Sequence, residues 1–470
     1  MRLVYKRTVM GFLVVLLALG GLLSTPQPAR AATITVTTNA DEYNTGTGCS
    51  LREAITAANT DKAFGGCPAG SGADVIYLPA LQGTFYQVSR ANTAGTDNSN
   101  VNGDLDITSS ITFVGGGGID PAVGTAKSTV RSYNEPNKPV YNDRIFHIIQ
   151  PAGAPQITVS FNSIGIRGGL PPGVGAAGGG VFNERAIVNL YRVLVWGNNA
   201  SSGAGLSNSR AGVMTVKEST IIENNGNVGG GIYSEGKLTV ENSLIRTNSA
   251  TDSGGGVDAR GLGAEKIVIR NTTITGNQST QGAGIANGGP LELYHTTIIR
   301  NTGVGIDMGQ GSQLWMANTI LADNILPNEN EYAECMIQAE ATATVVSRGG
   351  NMVEADPLIG GGITLAAVAT SCTFDSIDPL SPDLLGLEDN SQFNIGVIKY
   401  GKYTGAFQLE LNGNLSPAVD FIAAGNEYCP IVDQFFHPRP WNMGSNGCDI
   451  GAYEQGSEFA QSIYMPIIRR

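Results

Sequence analysis

Six segments of this chain align with one another without gaps, and that repetition limits the folds open to it. "VNLYRVLVWGN" starts at Val188, "MTVKESTIIEN" at Met214 and "LTVENSLIRTN" at Leu238. "IVIRNTTITGN" starts at Ile267, "LELYHTTIIRN" at Leu291 and "LWMANTILADN" at Leu314. Each ends in Asn: Asn198, Asn224, Asn248, Asn277, Asn301 and Asn324. Glycine clusters at Gly178, Gly203, Gly229, Gly254, Gly282 and Gly303 separate them, in steps of mostly 21 to 26 residues stretching to 29. Length alone suggests about three ordinary domains. A period in this range instead describes a solenoid whose copies complete one another.

Within a copy, apolar residues alternate with polar ones, the period of a strand. Leu238, Val240 and Ile245 fall on one side, and Thr239, Glu241 and Arg246 on the other. A corner is expected at Glu218, Asn242, Asn271 and Asn318. Three short strands and their corners per turn give an all-β fold, a right-handed parallel β-helix of the pectin-lyase-like type. Its rungs stack about 4.8 Å apart. The glycines allow positive φ at corners, and the stacked asparagines can hydrogen-bond along the axis. A leucine-rich repeat is the rival, but its Leu-x-x-Leu-x-Leu frame is absent. "GDLDITSSITFVGGG" and "RIFHIIQPAGAPQITVSFNSIGIRGG" fit looser coils before Gly178.

The chain begins with a basic start (Arg2, Lys6, Arg7), an apolar run from Val9 to Leu23, and Ala29-Arg30-Ala31. That pattern predicts a signal peptide over 1–31, with no membrane span in the mature chain. Its removal leaves 24 basic and 40 acidic residues, a balance of −16. Such a surface argues against nucleic acid as a partner. The six cysteines, Cys49, Cys67, Cys335, Cys372, Cys429 and Cys448, suit disulfides in an exported chain. Near-neighbour pairing is the simplest of the possible connectivities, and no Cys-x-x-Cys is present.

A solenoid needs caps over its open ends. "GCSLREAITAAN", Gly48–Asn59, has Ser50 and Glu53 spaced as a capping box, and Leu51, Ala54, Ile55 and Ala58 form one apolar stripe. A short helix over the first coil is expected, with Cys49 to Cys67 stapling it. "CSLREAITAAN" resembles the N-terminal signature of exported bacterial CSLREA-domain proteins. "DPLSPDLLGLEDN", "LSPAVD", "DQFFHPRP" and "CDIGAYE" resemble the choice-of-anchor Q region that often accompanies it. Phe435-Phe436-His437 departs from the usual pattern of that region. The resemblance implies a β-helix exposed on a cell surface or released, and it carries no known reaction. The expected organisation is a signal peptide (1–31), an N-terminal cap (32–90), the parallel β-helix (91–325), further coils and loops (326–410), the choice-of-anchor-Q-like region (411–456) and a tail (457–470).

The sequence holds no Asp-Asp pair of the kind polygalacturonase-like sites use, no His-Glu-x-x-His and no Gly-x-Ser-x-Gly. Arg246, Arg270 and Arg300, with Asp252 and Asp258, supply the residue types of a calcium-dependent lyase, but they occupy different repeat positions. His147, His295 and His437 are scattered, and His295 holds a corner that elsewhere is Asn. "GVGAAG", Gly173–Gly178, has dinucleotide-motif spacing but precedes a strand, not a helix, so a connection between coils is expected. "DNSNVNGDLD" offers calcium ligands through Asp97, Asn100, Asn102 and Asp104, against the alternative of an Asx-rich turn. "GGGVDARGL" misses the calcium nonapeptide pattern at Val257.

One outward column stands out: Tyr191, Lys217, Glu241, Arg270 and Tyr294. It reads either as a stabilising charge ladder or as a stripe whose tyrosines stack on sugar rings. Trp196 and Trp315 are expected to face outward near the ends of the array. The expected role is therefore an exported, monomeric adhesive scaffold for a polysaccharide or surface protein. A polysaccharide lyase or glycosidase is the alternative, and an inert structural layer the third. No resident cofactor beyond calcium is indicated.

Overall fold

In the computed structural model of the chain, residues 31–353 are described apart from 82, 93–97, 121–124, 262–264, 328–332, 340 and 349–350. Beyond 353 only the strands are described, from Thr370–Ser371 to Gly447–Cys448. The signal peptide, the tail, most of the choice-of-anchor-Q-like region, Asp97, Cys372, Cys429 and His437 lie outside the described residues.

The repeats wind into a right-handed parallel β-helix with three long sheets. The first sheet has 11 strands, the second 11 and the third 10. One turn runs from Val213–Lys217 in the first sheet to Thr220–Ile222 in the second and Ile232–Ser234 in the third. It then re-enters the first sheet at Lys237–Glu241. A short fourth sheet, Asn199–Ser202, Asn225–Val228 and Ser249–Ser253, widens three of the turns. The sheets extend before the aligned repeats: Thr33–Thr35, Asp74–Leu78 and Ile111–Gly115 open the first sheet, and Tyr86–Val88 opens the second. Cys335–Ile337, Thr344–Ser347 and Met352–Val353 continue the three sheets beyond Asn324.

Alternation decides which face is inside. Leu238, Val240 and Ile245 are fully buried, while Thr239, Glu241 and Arg246 face out. Each buried aliphatic side chain contributes about 1.5–3 kcal/mol, which a lone turn could not collect. Phe113, Phe146 and Phe161 fill the wider core of the looser early coils, with ring centroids 5.0–5.5 Å apart.

The corners follow the sequence. Arg192, Glu218, Asn242, Asn271, His295 and Asn318 all have positive φ, between 46° and 54°, where the first sheet turns into the second. Asn tolerates that region best among side-chain-bearing residues. The six repeat-ending asparagines are buried and form a ladder. Asn198 Nδ2 donates to Asn224 Oδ1 at 2.9 Å, and the same bond recurs at 3.0 Å to Asn248, 3.0 Å to Asn277, 3.0 Å to Asn301 and 2.8 Å to Asn324.

The glycine clusters do two things, of which the sequence suggested one. Gly229 takes φ 61°. Gly231 is needed for close approach, because a Cβ there would lie 2.5 Å from the Gly256 carbonyl oxygen of the next rung.

The expected helix is Leu51–Thr60, with the Ser50–Glu53 capping box formed and its face buried. Arg52 anchors it: its guanidinium pairs with Asp41 at 2.6 Å and donates to the Gly103 and Asp104 carbonyls at 2.7 and 3.0 Å. Cys49 and Cys67 are bonded, and Cys335 is disulfide-bonded too. No helix of the described residues is long and apolar enough to cross a membrane.

Candidate functional site

The outward column is realised rung by rung. Tyr191 is paired in register with Lys217, Lys217 with Glu241, Glu241 with Arg270, and Arg270 with Tyr294. Glu241 is the centre of its charge pattern: Lys217 Nζ lies 3.8 Å and Arg270 Nε 3.3 Å from its two oxygens. Tyr191 carries the Arg192 guanidinium over its ring at 4.9 Å.

The parallel register places a second outward column two residues away, running Asn189, Thr215, Thr239, Val268, Glu292 and Trp315. Where the two columns meet Tyr294, a denser patch forms. Lys266 Nζ donates to Glu292 Oε1 at 2.7 Å and lies 5.8 Å from the centre of the Trp315 ring. Tyr294 Oη donates to Glu292 Oε2 at 3.1 Å, and Arg348 Nη1 donates to Tyr294 Oη. Burial alone would raise the Glu292 carboxyl, but the hydrogen bond and charge of Lys266 hold it below its ordinary range. Tyr294 is thus held by one carboxylate and one cation, and Trp315, on the adjacent strand, lies beside a second cation. Lys266, Glu292 and Arg348 were not singled out from sequence. The alignment of "LELYHTTIIRN" with "LWMANTILADN" carried the signal for Glu292, because it sets that residue against Trp315. Trp196 also faces outward, beneath Arg167 at 5.4 Å, remote from this patch.

The lyase constellation is dispersed. Arg270 belongs to the first sheet and Arg246 to the second, while Arg300 sits at a corner paired with Asp323 at 3.0 Å. Asp252 lies in the fourth sheet. Asp258 lies in the third, where Ser253 and Arg260 hold its carboxylate at 2.5 and 2.6 Å. His295 accepts its place in the Asn column, 3.0 Å from Asn318 Nδ2. "GVGAAG" leads into the strand Val181–Glu184 and opens no helix.

Of the residues offered for calcium, Asn100, Asn102 and Asp104 are described, and each has partners within the protein. Asn100, with φ 58°, accepts from the Asp106 N–H at 2.8 Å. Asn102 Oδ1 accepts from Arg90 at 3.3 Å. Asp104 instead turns to a buried cluster that sequence reading missed. Asp106 and His147 are in register on successive strands of the third sheet, with Phe182 on the next. His147 Nδ1 lies 3.4 Å from Asp106 Oδ1 and 4.0 Å from Asp104 Oδ2, and its Nε2 lies 3.4 Å from Glu184 Oε2. Arg144 Nη1 holds Asp104 Oδ2 at 2.9 Å. Burial, followed by the neighbouring Arg144 charge, pushes the His147 imidazole down to about 4. Burial and the adjacent Asp106 and Asp143 hold the Asp104 carboxyl well above its usual range, against the pull of Arg144. Aligning "GDLDITS" with "RIFHIIQ" on Leu105 and Phe146 would have set Asp106 against His147.

Residues 158–375 match the family model described as the right handed beta helix region. No curated protein sequence matches the chain. Among solved structures, the β-helix is similar to the crystal structure of pectate lyase Pel9A, at 12% identity and a TM-score of 0.43, over 81% of this chain and 88% of that one. It is similar also to ORF18 of Geobacillus virus E2, at 11% identity and a TM-score of 0.25, over 59% and 54% of the two chains. At that level of likeness neither neighbour bears on the chemistry of this β-helix.

Proposed function

We propose that the outer face of the first sheet binds an extended glycan and that the protein is an exported adhesive scaffold. The observation that carries this reading is the pair Tyr294 and Trp315 on adjacent strands, with Tyr294 hydrogen-bonded to Glu292 and Arg348 and Trp315 beside Lys266. Aromatic faces stack on sugar rings, and polar groups beside them take sugar hydroxyls. A rigid parallel sheet keeps the rings in place before binding, which limits the ordering cost. The column of Asn189, Thr215 and Thr239 extends the same face toward Tyr191 with small polar groups. The dispersal of Arg246, Arg270, Arg300, Asp252 and Asp258 over separate sheets favours binding over cleavage, because catalysis needs such groups in one groove. The signal-peptide-like start and the CSLREA-like and choice-of-anchor-Q-like signatures support a place outside the cell or on its surface.

The test is retention of the purified protein on a panel of immobilised plant, microbial and animal polysaccharides, with and without Ca2+, while assaying for new chain ends. Retention on a glycan, weakened about tenfold by Trp315→Ala or Tyr294→Ala and unchanged by Arg246→Ala on the second sheet, is the expected result. New chain ends would assign a lyase or glycosidase instead. Neither retention nor cleavage would leave a structural layer.

A further inference from the structure

Among the described residues, one buried polar cluster lies at the start of the third sheet, away from the outer face of the first sheet. Asp104, Asp106 and His147 are all buried, and one ligand atom from each lies within 4.8 Å of the others. His147 is only 6% exposed, yet neither ring nitrogen makes a hydrogen bond. Leaving a buried imidazole in that state is costly. Its ring is nonetheless fixed, stacked on Phe182 with centroids 5.1 Å apart.

The Nδ1–Asp106 distance suits a shared cation better than a direct hydrogen bond, and Asp104 Oδ2, 4.0 Å from Nδ1, lies within reach as a third ligand. Nδ1 stands 3.4 Å from Asp106 Oδ1. That is too long for a good hydrogen bond. It equals the edge of a tetrahedron whose centre is about 2.1 Å from each ligand, the usual metal–nitrogen and metal–carboxylate length. On the other side, Nε2 faces Glu184 Oε2 at 3.4 Å. That contact is as long as the one at Nδ1, but a metal-bound histidine characteristically directs its second nitrogen to a carboxylate, and Glu184 is the group placed to receive it. Charge agrees. Asp104, Asp106, Asp143 and Glu184 surround His147, with Arg144 and Arg185 as their cations.

We propose that Asp104, Asp106 and His147 bind one divalent first-row transition ion, Zn2+ or Mn2+, as a structural clamp. One imidazole with two carboxylates favours such an ion over Ca2+ or Mg2+, which take oxygen ligands. The ligands come from the strand Leu105–Ile107, its immediate N-terminal neighbour Asp104, and the strand Phe146–Ile149; Glu184, from Val181–Glu184, orients His147. The ion would therefore tie two successive rungs directly, with Glu184 on the third backing His147. It sits under the capping helix, whose Arg52 and Asn59 donate to the Asp104 and Asp106 carbonyls at 3.0 and 2.8 Å.

The experiment is to refold the full chain, without an affinity tag, in Zn2+, Mn2+ or Ca2+, dialyse it against a weak chelator, and measure bound metal per chain and Tm. The expected result is about one Zn2+ or Mn2+ per chain, no retained Ca2+, and a Tm that falls when a strong chelator removes the ion. His147→Gln should lose the ion. Glu184→Gln, at a half-exposed position that tolerates change, should weaken it about 10–100-fold. His295→Gln should keep it. Absence of stoichiometric metal in the folded wild type would overturn the proposal. So would metal content that neither His147→Gln nor Glu184→Gln alters, which would mean surface binding only.

Discussion

The Asn324 backbone N–H donates to Glu334 Oε1 at 3.1 Å, and the Asn324 side-chain amide donates to the other oxygen of the same carboxylate. A buried Glu thus ends a column of amides that begins at Asn198. Every rung passes its donor to the next, so a carboxylate with acceptors only is a fitting terminus.

The ladder predicts the cost of breaking it. Asn248 Oδ1 accepts from the Asn224 N–H and from its Nδ2 at 3.1 and 3.0 Å, and Asn248 Nδ2 donates to the Ile221 carbonyl at 3.0 Å. Asn248→Ala leaves these buried groups without partners and should cost about 3 kcal/mol. Asn248→Asp should cost as much or more, because it adds a buried charge. Urea unfolding measures both.

Glycine positions separate by what surrounds them. Gly231→Ala pushes a Cβ to 2.5 Å from the Gly256 carbonyl and should destabilise by about 2 kcal/mol or more. At Gly288 the nearest atom to an added Cβ is the flexible Arg260 side chain at 3.5 Å, so Gly288→Ala should be close to neutral. Thermal unfolding of the two variants side by side checks this.

The Lys217–Glu241–Arg270 array is half-exposed. Glu241→Gln should cost less than about 1 kcal/mol, and the difference should shrink toward zero in 1 M salt as the pairs are screened. A larger, salt-independent loss would show that Glu241 does more than pair charges.

Asp307 lies buried on the third sheet, where burial raises its carboxyl above the ordinary value although Gln338 donates to it at 3.2 Å. The folded state therefore disfavours its ionisation. The stability present while it is protonated is lost as pH rises from the unfolded value through the folded one. Asp307→Asn keeps an acceptor for Gln338 and should raise Tm at pH 7 but not at pH 3. Equal effects at both pH values would mean that the charge is not the cause.

Much of this molecule was legible in the repeats. Alternation at Leu238, Val240 and Ile245 determined the inside, and the recurrent Asn and Gly determined the corners and the ladder, because each is set within one turn. Ser50 and Glu53 specified the capping helix for the same local reason. Tertiary structure decided what depends on neighbouring rungs. It brought Lys266 to Glu292 and Arg348 to Tyr294, from positions 26 and 54 residues away in sequence. It also set Asp106 against His147 across irregular early coils whose spacing hides their register. In a parallel β-helix, contacts along the axis join residues a full turn or more apart. Periodicity fixes which face a residue occupies, whereas only the stacked register fixes the neighbours it meets there.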